Sequence, residues 1–231
     1  MIKKALVVFA HPNNKSYCAS FRDLTLRKLN TMGFQTFESD LYKMKFNPVL
    51  NLMDVGINKS KEGIIITEEL KRTVENKKLD HDVQSELEKV LAANYLIFIA
   101  PMWFGSFPAI LKGWLEKVFV RGIVCDLPND IYKGGYLRGK KCMIVTATGY
   151  SKEFYAKEGK GAGGQTIEEN YWHIILHSFA FCGMETLPIY ACYGMDFADE
   201  KLRKQYLVDY EKVLENIENL KPYHIPLLHE N

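Results

Sequence analysis

The 231-residue sequence carries almost no net charge. Its 30 basic and 28 acidic residues leave a formal charge of +2 at pH 7. Nucleic acids and anionic membranes attract clustered positive charge, so this balance argues against both as partners. No run approaches the ~18 continuous apolar residues of a transmembrane helix. The first apolar run stops at His11-Pro12, too early for a signal peptide. We expect a cytoplasmic protein with no membrane span.

Paired cysteine motifs are also missing. The five cysteines are odd in number and widely spread, and no two have the Cys-x-x-Cys spacing. A disulfide framework or a zinc ribbon is therefore not expected, and the pattern fits a reducing compartment. His173 and His177 can share one helix face, but no glutamate follows His173 and no third ligand is visible. We expect no metal site.

Several motifs of nucleotide-binding and hydrolytic proteins are absent. The sequence has no Gly-x-x-x-x-Gly-Lys-Ser/Thr and no Gly-x-Ser-x-Gly, which argues against a P-loop protein and weakens hydrolase interpretations. Residues 159–164 do spell Gly-x-Gly-x-x-Gly. No buried strand runs into this segment, so we interpret it as a loop beside a site rather than as a dinucleotide-binding turn.

What the sequence does contain is an alternation of strands and helices. The runs 5–10 and 95–100 are apolar on both faces, as in strands buried inside a parallel sheet. Strands are predicted at 5–10, 34–41, 95–100, 141–148 and 185–192. Helices are predicted after the caps Ser16 and Ser106, and at 68–73, 83–91, 167–179 and 202–220. This order predicts an α/β protein with a flavodoxin-like, doubly wound, five-stranded parallel sheet and helices on both faces. We expect a single domain over 1–231, with an irregular excursion at about 42–82 and a C-terminal helix and tail.

Ligands of such folds bind at the carboxyl ends of the strands. This rule selects the loops 11–17, 101–106 and 148–155 and the segment after Cys192. The first loop opens a helix, so its backbone N–H groups, with Ser16 and Lys15, can hold a phosphate; an ordinary capped turn is the alternative. The second has two aromatic residues and a glycine between two prolines, which suits a flat ring system, with a packed crossover as the alternative.

The third loop adds hydroxyl groups. Thr148-Gly149-Tyr150 offers a hydroxyl and a close approach of the backbone, and Tyr155 follows in the same segment. A tyrosine hydroxyl beside a flavin can hydrogen-bond the charge that develops on the reduced ring. The alternative for Tyr155 is a surface tyrosine on a flexible loop.

Three segments, 5–20, 39–48 and 101–126, carry a resemblance to a known family, and Phe181-Cys182-Gly183 also matches. The chain resembles the NAD(P)H quinone dehydrogenase family of flavodoxin-like flavoproteins. That family includes FAD-dependent quinone reductases, modulator of drug activity B and the potassium-efflux ancillary flavoproteins. The resemblance covers most of the chain and is weakest at 49–82 and 156–170.

The resemblance implies a homodimeric oxidoreductase with FAD at the dimer interface. FMN is the less expected cofactor. The protein would reduce quinones or related electron-poor aromatics with NAD(P)H, by two-electron ping-pong hydride transfer. Tyr155 is the implied catalytic residue, and Cys125, Leu127 and Phe181 the implied substrate-binding residues, reaching the site across the dimer. The implied cofactor-binding residues are His11, Ser16, Tyr17, Cys18, Pro101, Met102, Trp103, Phe104, Gly105, Thr148, Gly149 and Tyr150.

One departure concerns the partner of the active-site tyrosine. Gly161 stands where the mammalian quinone reductases carry a polar residue, and the neighbouring Lys160 is a candidate replacement. Three other functions remain open at this point: a regulatory flavoprotein subunit, an FMN-dependent azo- or nitroreductase on the same fold, and a non-redox nucleotide-binding module.

Overall fold

The computed structural model describes residues 2–60, 62–158 and 161–229. Its centre is a wholly parallel sheet with the strand order β2-β1-β3-β4-β5, and β6 also pairs with β4. The order reverses direction between β1 and β3, which is the arrangement of a flavodoxin-like doubly wound sheet. The predicted fold class is therefore confirmed. The strands are β1 (Lys4–Phe9), β2 (Gln35–Asp40), β3 (Tyr95–Pro101), β4 (Lys141–Ala147), β5 (Glu185–Thr186) and β6 (Tyr190–Cys192).

The fifth position of the sheet is divided between β5 and β6, so the prediction of one strand over 185–192 was wrong. Lys141 of β4 pairs with Glu185, whereas Val145 pairs with Tyr190, so the outer strand contains one extra residue. Pro188 lies in the interruption and has no N–H to donate to the ladder. Beyond the interruption, β6 brings the segment after Cys192 to the carboxyl edge of the sheet.

Helices cover both faces of the sheet. The side chains of Val7 and Phe9 pack with α1 and α6, while those of Leu6 and Val8 pack with the helices of the opposite face, as the two-residue period of a strand requires. No helix in the described ranges is both long and apolar enough to cross a bilayer. The helices are α1 (Tyr17–Thr31), α2 (Ile66–Glu75), α3 (His81–Ala92), α4 (Ala109–Val118), α5 (Ile167–Ile174), α6 (Glu200–Glu215) and α7 (Pro226–His229).

The helix ends agree with the sequence in part. Ser16 caps α1, because its hydroxyl accepts a hydrogen bond from the Ala19 N–H at 3.2 Å. Ser106 does not cap α4, which begins after Pro108 with no side-chain cap. The last long helix ends at Glu215 rather than at 220. Buried Ile217 follows α6 in a turn, which explains why the apolar period continued past the helix.

The segment before α3 is anchored on α4. A short 3₁₀ helix, Leu52–Val55, precedes α2, and α2 contains the predicted helix at 68–73. Lys117 of α4 donates to an Asp54 carboxylate oxygen at 2.7 Å, and both side chains are buried. Gly113 of α4 lies against Pro48, where a Cβ would approach the Pro48 carbonyl oxygen to 2.2 Å.

Candidate cofactor and substrate site

A cavity of about 840 Å³ lies at the carboxyl edge of the sheet, between the loops that follow β1, β3 and β4. Its size falls within the range of small-molecule sites in proteins. Every residue predicted to bind the cofactor, together with the predicted catalytic tyrosine, lines it. These residues are His11, Ser16, Tyr17, Cys18, Pro101, Met102, Trp103, Phe104, Gly105, Thr148, Gly149, Tyr150 and Tyr155.

The N-terminus of α1 forms one end of the cavity. The Ser16 hydroxyl accepts the Ala19 N–H, and in the described part of the chain the N–H groups of Tyr17 and Cys18 donate to no other residue. These two amides and the positive end of the helix dipole suit an anion such as a phosphate. The Tyr17 hydroxyl donates to the Arg203 carbonyl at 2.5 Å, which fixes that side chain.

The titratable groups at this end are uncharged. Burial lowers the pKa of His11, so its imidazole is neutral at pH 7, and Nδ1 accepts the Asn13 N–H at 3.0 Å. Burial raises the pKa of the Cys18 thiol to about 12, so it stays protonated. The protonated Cys18 thiol therefore places no negative charge beside an anion at α1, and it is not a reactive thiolate.

A tight turn after β3 presents two aromatic side chains. The Trp103 N–H donates to the Ser106 carbonyl at 3.0 Å, and the Ser106 N–H donates back at 3.1 Å. Phe104 and Gly105 between them have φ values of 49° and 75°, as in a type I′ turn. Phe104 is fully exposed and Trp103 is 42% exposed. A bulky residue at positive φ is unfavourable, and such strain concentrates at ligand-binding sites.

Tyr155 is buried rather than on the surface. It lies at the end of a 3₁₀ helix, Lys152–Tyr155, and is 8% exposed. Its hydroxyl lies 2.8 Å from the Thr148 hydroxyl, so each group orients the other. Phe154 packs edge-on against Tyr155 and stacks on Tyr150 with ring centroids 4.1 Å apart. The tyrosine predicted to be catalytic therefore has a fixed orientation beside the cavity.

The cavity also contains residues that the sequence did not single out. Asn170 of α5 lies beside the turn, where a Cβ on Gly105 would approach its Oδ1 to 3.3 Å. Met195, Asp196 and Phe197 follow β6, so the carboxyl-edge rule pointed to their segment without naming them. No sequence signal identified Asn170, because it belongs to a helix that reaches the cavity only in the folded chain. Gly159 and Lys160 lie outside the described residues.

The three predicted substrate residues lie elsewhere on this subunit. Cys125, Leu127 and Phe181 line a second groove of about 280 Å³, separate from the main cavity. Cys182 lines the same groove beside Cys125. Contact between these residues and a cofactor in the main cavity requires a second subunit, and their role stays a prediction.

The two helix-face histidines stand side by side. The rings of His173 and His177 lie 6.3 Å apart between centroids and are nearly parallel. In the ranges that the structure describes, no group of three histidine, cysteine, aspartate or glutamate side chains is arranged to hold a metal ion. The pair is a feature of the surface next to the second groove, which His177 also lines.

The parallel sheet and the rim cavity define a flavodoxin-like protein. A family model described as a flavodoxin-like fold matches residues 3–214. A crystal structure from Klebsiella pneumoniae, assigned as a quinone reductase, superposes with a TM-score of 0.88 at 26% identity. The superposition covers 95% of this chain and 86% of that one.

Sequence relatives narrow the class further. The chain is 32% identical to the ribosyldihydronicotinamide dehydrogenase (quinone) of Mus musculus over 96% of this chain and 95% of the mouse protein. It is also 32% identical to the NAD(P)H dehydrogenase (quinone) 1 of Cavia porcellus, over 94% of this chain and 78% of that protein. The chain belongs to the NAD(P)H quinone dehydrogenase family, and the predicted family is thereby confirmed.

Proposed function

We propose that this protein is a homodimeric, FAD-dependent oxidoreductase that transfers two electrons from NAD(P)H to quinones or related electron-poor aromatics. Its relatives are named as quinone dehydrogenases that use reduced nicotinamides. One observation carries the proposal: a single continuous cavity contains two features. At one end are the backbone N–H groups of Tyr17 and Cys18, which donate to no other residue, and beside them is the aromatic turn at Trp103 and Phe104. A phosphate-bearing cofactor with a planar ring system needs both features.

The residues of the cavity fit a flavin. The α1 amides would bind the phosphates, and the protonated Cys18 thiol beside them adds no repulsive negative charge. Trp103 and Phe104 would support one face of the ring system, and the backbone at Thr148 and Gly149 would follow its polar edge. We propose FAD instead of FMN as the cofactor because the sequence resembles the FAD-dependent quinone reductases.

The protein residues would orient the reactants and stabilise charge. When bound, the flavin supplies the hydride-transfer chemistry between donor and acceptor. Tyr155, held by Thr148, would donate a hydrogen bond to an oxygen at which negative charge develops. The exposed rings at the cavity mouth would stack on donor and acceptor in turn and exclude water from them. One shared binding position for donor and acceptor gives ping-pong kinetics.

A second subunit would complete the site. The mouth of the cavity exposes Trp103, Phe104, Tyr150 and Phe197, and an apolar rim of this kind marks an interaction surface. In a two-fold dimer, the groove of Cys125, Leu127 and Phe181 can face the partner's cavity. This arrangement would bring together the two sets of residues that one chain keeps apart.

Cofactor analysis and turnover test the proposal together. The purified protein should be yellow, heat release should yield FAD by mass spectrometry, and menadione should be reduced by NADH or NADPH with parallel lines in double-reciprocal plots. A colourless protein that binds no added flavin would exclude the proposal. Bound flavin without turnover would favour the regulatory subunit, and FMN with preferred reduction of azo dyes would favour the azoreductase.

A further inference from the structure

We propose that Asp196 selects substrates by charge, so that the cavity favours cationic planar aromatics and disfavours anionic ones. This inference rests on the proposed function, because it concerns the acceptor that binds in the same cavity. Asp196 follows β6 and lines the cavity together with Tyr150 and Tyr155.

The backbone fixes the position of Asp196. The Gly194 N–H donates to the Tyr150 carbonyl at 2.7 Å, and the Met195 N–H donates to the Thr148 carbonyl at 3.0 Å. These bonds tie the segment to the loop after β4. The Asp196 carboxylate then lies over Gly149, where a Cβ would stand 2.2 Å from its Oδ2. Because residue 149 has no Cβ, the carboxylate can lie this close to the backbone that is predicted to bind the cofactor.

No positive charge within the described cavity neutralises Asp196. No lysine or arginine is among the described residues that line it, and His11 is uncharged at pH 7 because burial lowers its pKa. The Arg203 guanidinium donates to the Met195 carbonyl at 3.5 Å, and Asp196 takes part in no ion pair among the described residues. Within the described residues, Asp196 accepts no hydrogen bond. Its carboxylate is therefore available to a ligand.

A single uncompensated charge discriminates between ligands of opposite charge. The Asp196 carboxylate attracts a bound cation and repels a bound anion. Both free-energy contributions raise the ratio of the affinity for the cation to the affinity for the anion. Because Asp196 is exposed at the mouth, salt screens this effect. We expect a quinone that bears an ammonium group to be preferred over its sulfonate analogue by about tenfold or more at low ionic strength.

Two redox-inert probes test the binding directly. Calorimetric titration of the flavin-loaded protein with 2-naphthyltrimethylammonium and with 2-naphthoate measures two dissociation constants. The cation should bind more tightly. Asp196→Asn should lower the cation-to-anion affinity ratio by about tenfold, and Asp196→Glu should retain it. Glu200→Gln, which removes the same charge outside the cavity at the start of α6, should leave the ratio unchanged.

Kinetics with charged acceptors give a second readout. The ratio of kcat/KM for trimethylammonium- and sulfonate-substituted naphthoquinones should fall in Asp196→Asn and should fall in the wild type as salt is added. Equal ratios in the wild type and Asp196→Asn, or absence of binding by both probes, would overturn the proposal. That failure is distinct from failure of the proposed function, which would appear as absence of flavin and of menadione turnover in the wild type.

Discussion

At the scale of single residues, the orientation of Tyr155 depends on Thr148. The Thr148 N–H donates to the Cys192 carbonyl at 2.9 Å, so the residue is fixed between β4 and β6. Its hydroxyl lies 2.8 Å from that of Tyr155. The tyrosine is thus positioned by the sheet rather than by its own short 3₁₀ helix, and its hydroxyl is the group that we expect to stabilise charge.

Removing the Tyr155 hydroxyl should slow the chemistry. In Tyr155→Phe, the rate of flavin reduction should fall by about tenfold or more, because a lost hydrogen bond to a charged group is worth roughly 1.5–3 kcal/mol. Stopped-flow bleaching of the flavin absorbance by NAD(P)H measures this step. Tyr136→Phe removes a hydroxyl that donates to Asp130 outside the cavity and serves as the control. An unchanged bleaching rate in Tyr155→Phe would show that the hydroxyl has no catalytic role.

A second residue-scale prediction concerns acid stability. Ion pairs with Lys71 and Arg121 lower the pKa of Asp126 to about 2. A depressed carboxyl pKa stabilises the fold fully above the unfolded value, near 4, and the stabilisation is lost as pH falls towards 2. Asp126→Asn should therefore lower Tm at pH 7, and its difference from the wild type should shrink below about pH 4.

Thermal melts across that pH range measure the effect. Asp82→Asn, at a side chain that is 74% exposed, serves as the control and should change Tm little at any pH. A difference between Asp126→Asn and wild type that persists undiminished at pH 2 would contradict the assignment of the ion pairs as its cause.

At the scale of elements, α4 is the platform for the segment that precedes α2. Gly113 allows the backbone at Pro48 to lie directly on the helix. The buried ion pair of Lys117 and Asp54 connects the helix to the 3₁₀ turn that contains Asp54. The turn of Trp103 and Phe104 leads into this same helix. The helix that follows the aromatic turn therefore also supports the segment at 48–55.

A methyl group on Gly113 should destabilise the protein. Alanine is the better helix former by about 1 kcal/mol, so an unpacked position would gain stability. The overlap with the Pro48 carbonyl should outweigh this gain and leave a net loss of about 1–3 kcal/mol in the free energy of unfolding. Urea denaturation measures the change, with Lys112→Ala on the exposed side of α4 as the control. A more stable Gly113→Ala would refute the contact.

Replacing one partner of the buried ion pair should lower the free energy of unfolding more than replacing both partners. Lys117→Met leaves the Asp54 carboxylate buried without its cation, a loss of about 3–5 kcal/mol. The double substitution Lys117→Met with Asp54→Leu should be less destabilising than either single one, because no unpaired charge remains. A double-mutant cycle in urea measures the coupling, and additive effects would show that the pair is energetically independent.

Sequence patterns predicted the centre of the sheet because the runs at 5–10 and 95–100 are apolar on both faces, which is typical of strands in a doubly covered parallel sheet. The interruption at Pro188 escaped prediction, since the register of an outer strand depends on pairing with β4. Ser106 is a good cap by residue type, yet its backbone is already used by the turn with Trp103.

The site was predictable to the extent that it follows strand ends. The loops after β1, β3 and β4 were identified from the carboxyl-edge rule, and all of them meet in the cavity. Asn170 could not be found this way, because a helix residue reaches the cavity through tertiary packing alone. The sequence also could not predict that Phe181 lies apart from Tyr155, since this separation depends on distances across the folded chain.

At the scale of the whole molecule, our proposal divides the complete site between two regions of the subunit surface. The main cavity holds Tyr155, and the second groove holds Cys125, Leu127 and Phe181. If two-fold symmetry brings the halves together, each dimer has two sites, and each site takes one half from each subunit. A defect in one half can then be compensated in a mixed dimer.

Mixing two defective variants should restore activity. If the protein forms the proposed dimer, Tyr155→Phe and Phe181→Ala subunits that are unfolded and refolded together should give hybrid dimers with one doubly defective site and one intact site. Activity with menadione should exceed the mean of the two parents, and light scattering should give about twice the 26.6 kDa chain mass. A mixture of Tyr155→Phe with Thr148→Val, which alter the same half, is the control and should show no gain. Absence of any gain in the first mixture would exclude shared sites.

The left-handed backbone conformation at Phe104 predicts a trade-off between thermal stability and activity. A glycine or an asparagine adopts that conformation with less strain, so Phe104→Gly should resist heat at least as well as the parent chain. The same change deletes the most solvent-facing ring of the cavity rim. Laboratory selection for thermal resistance alone would therefore discard this phenylalanine, whereas selection for turnover would retain it.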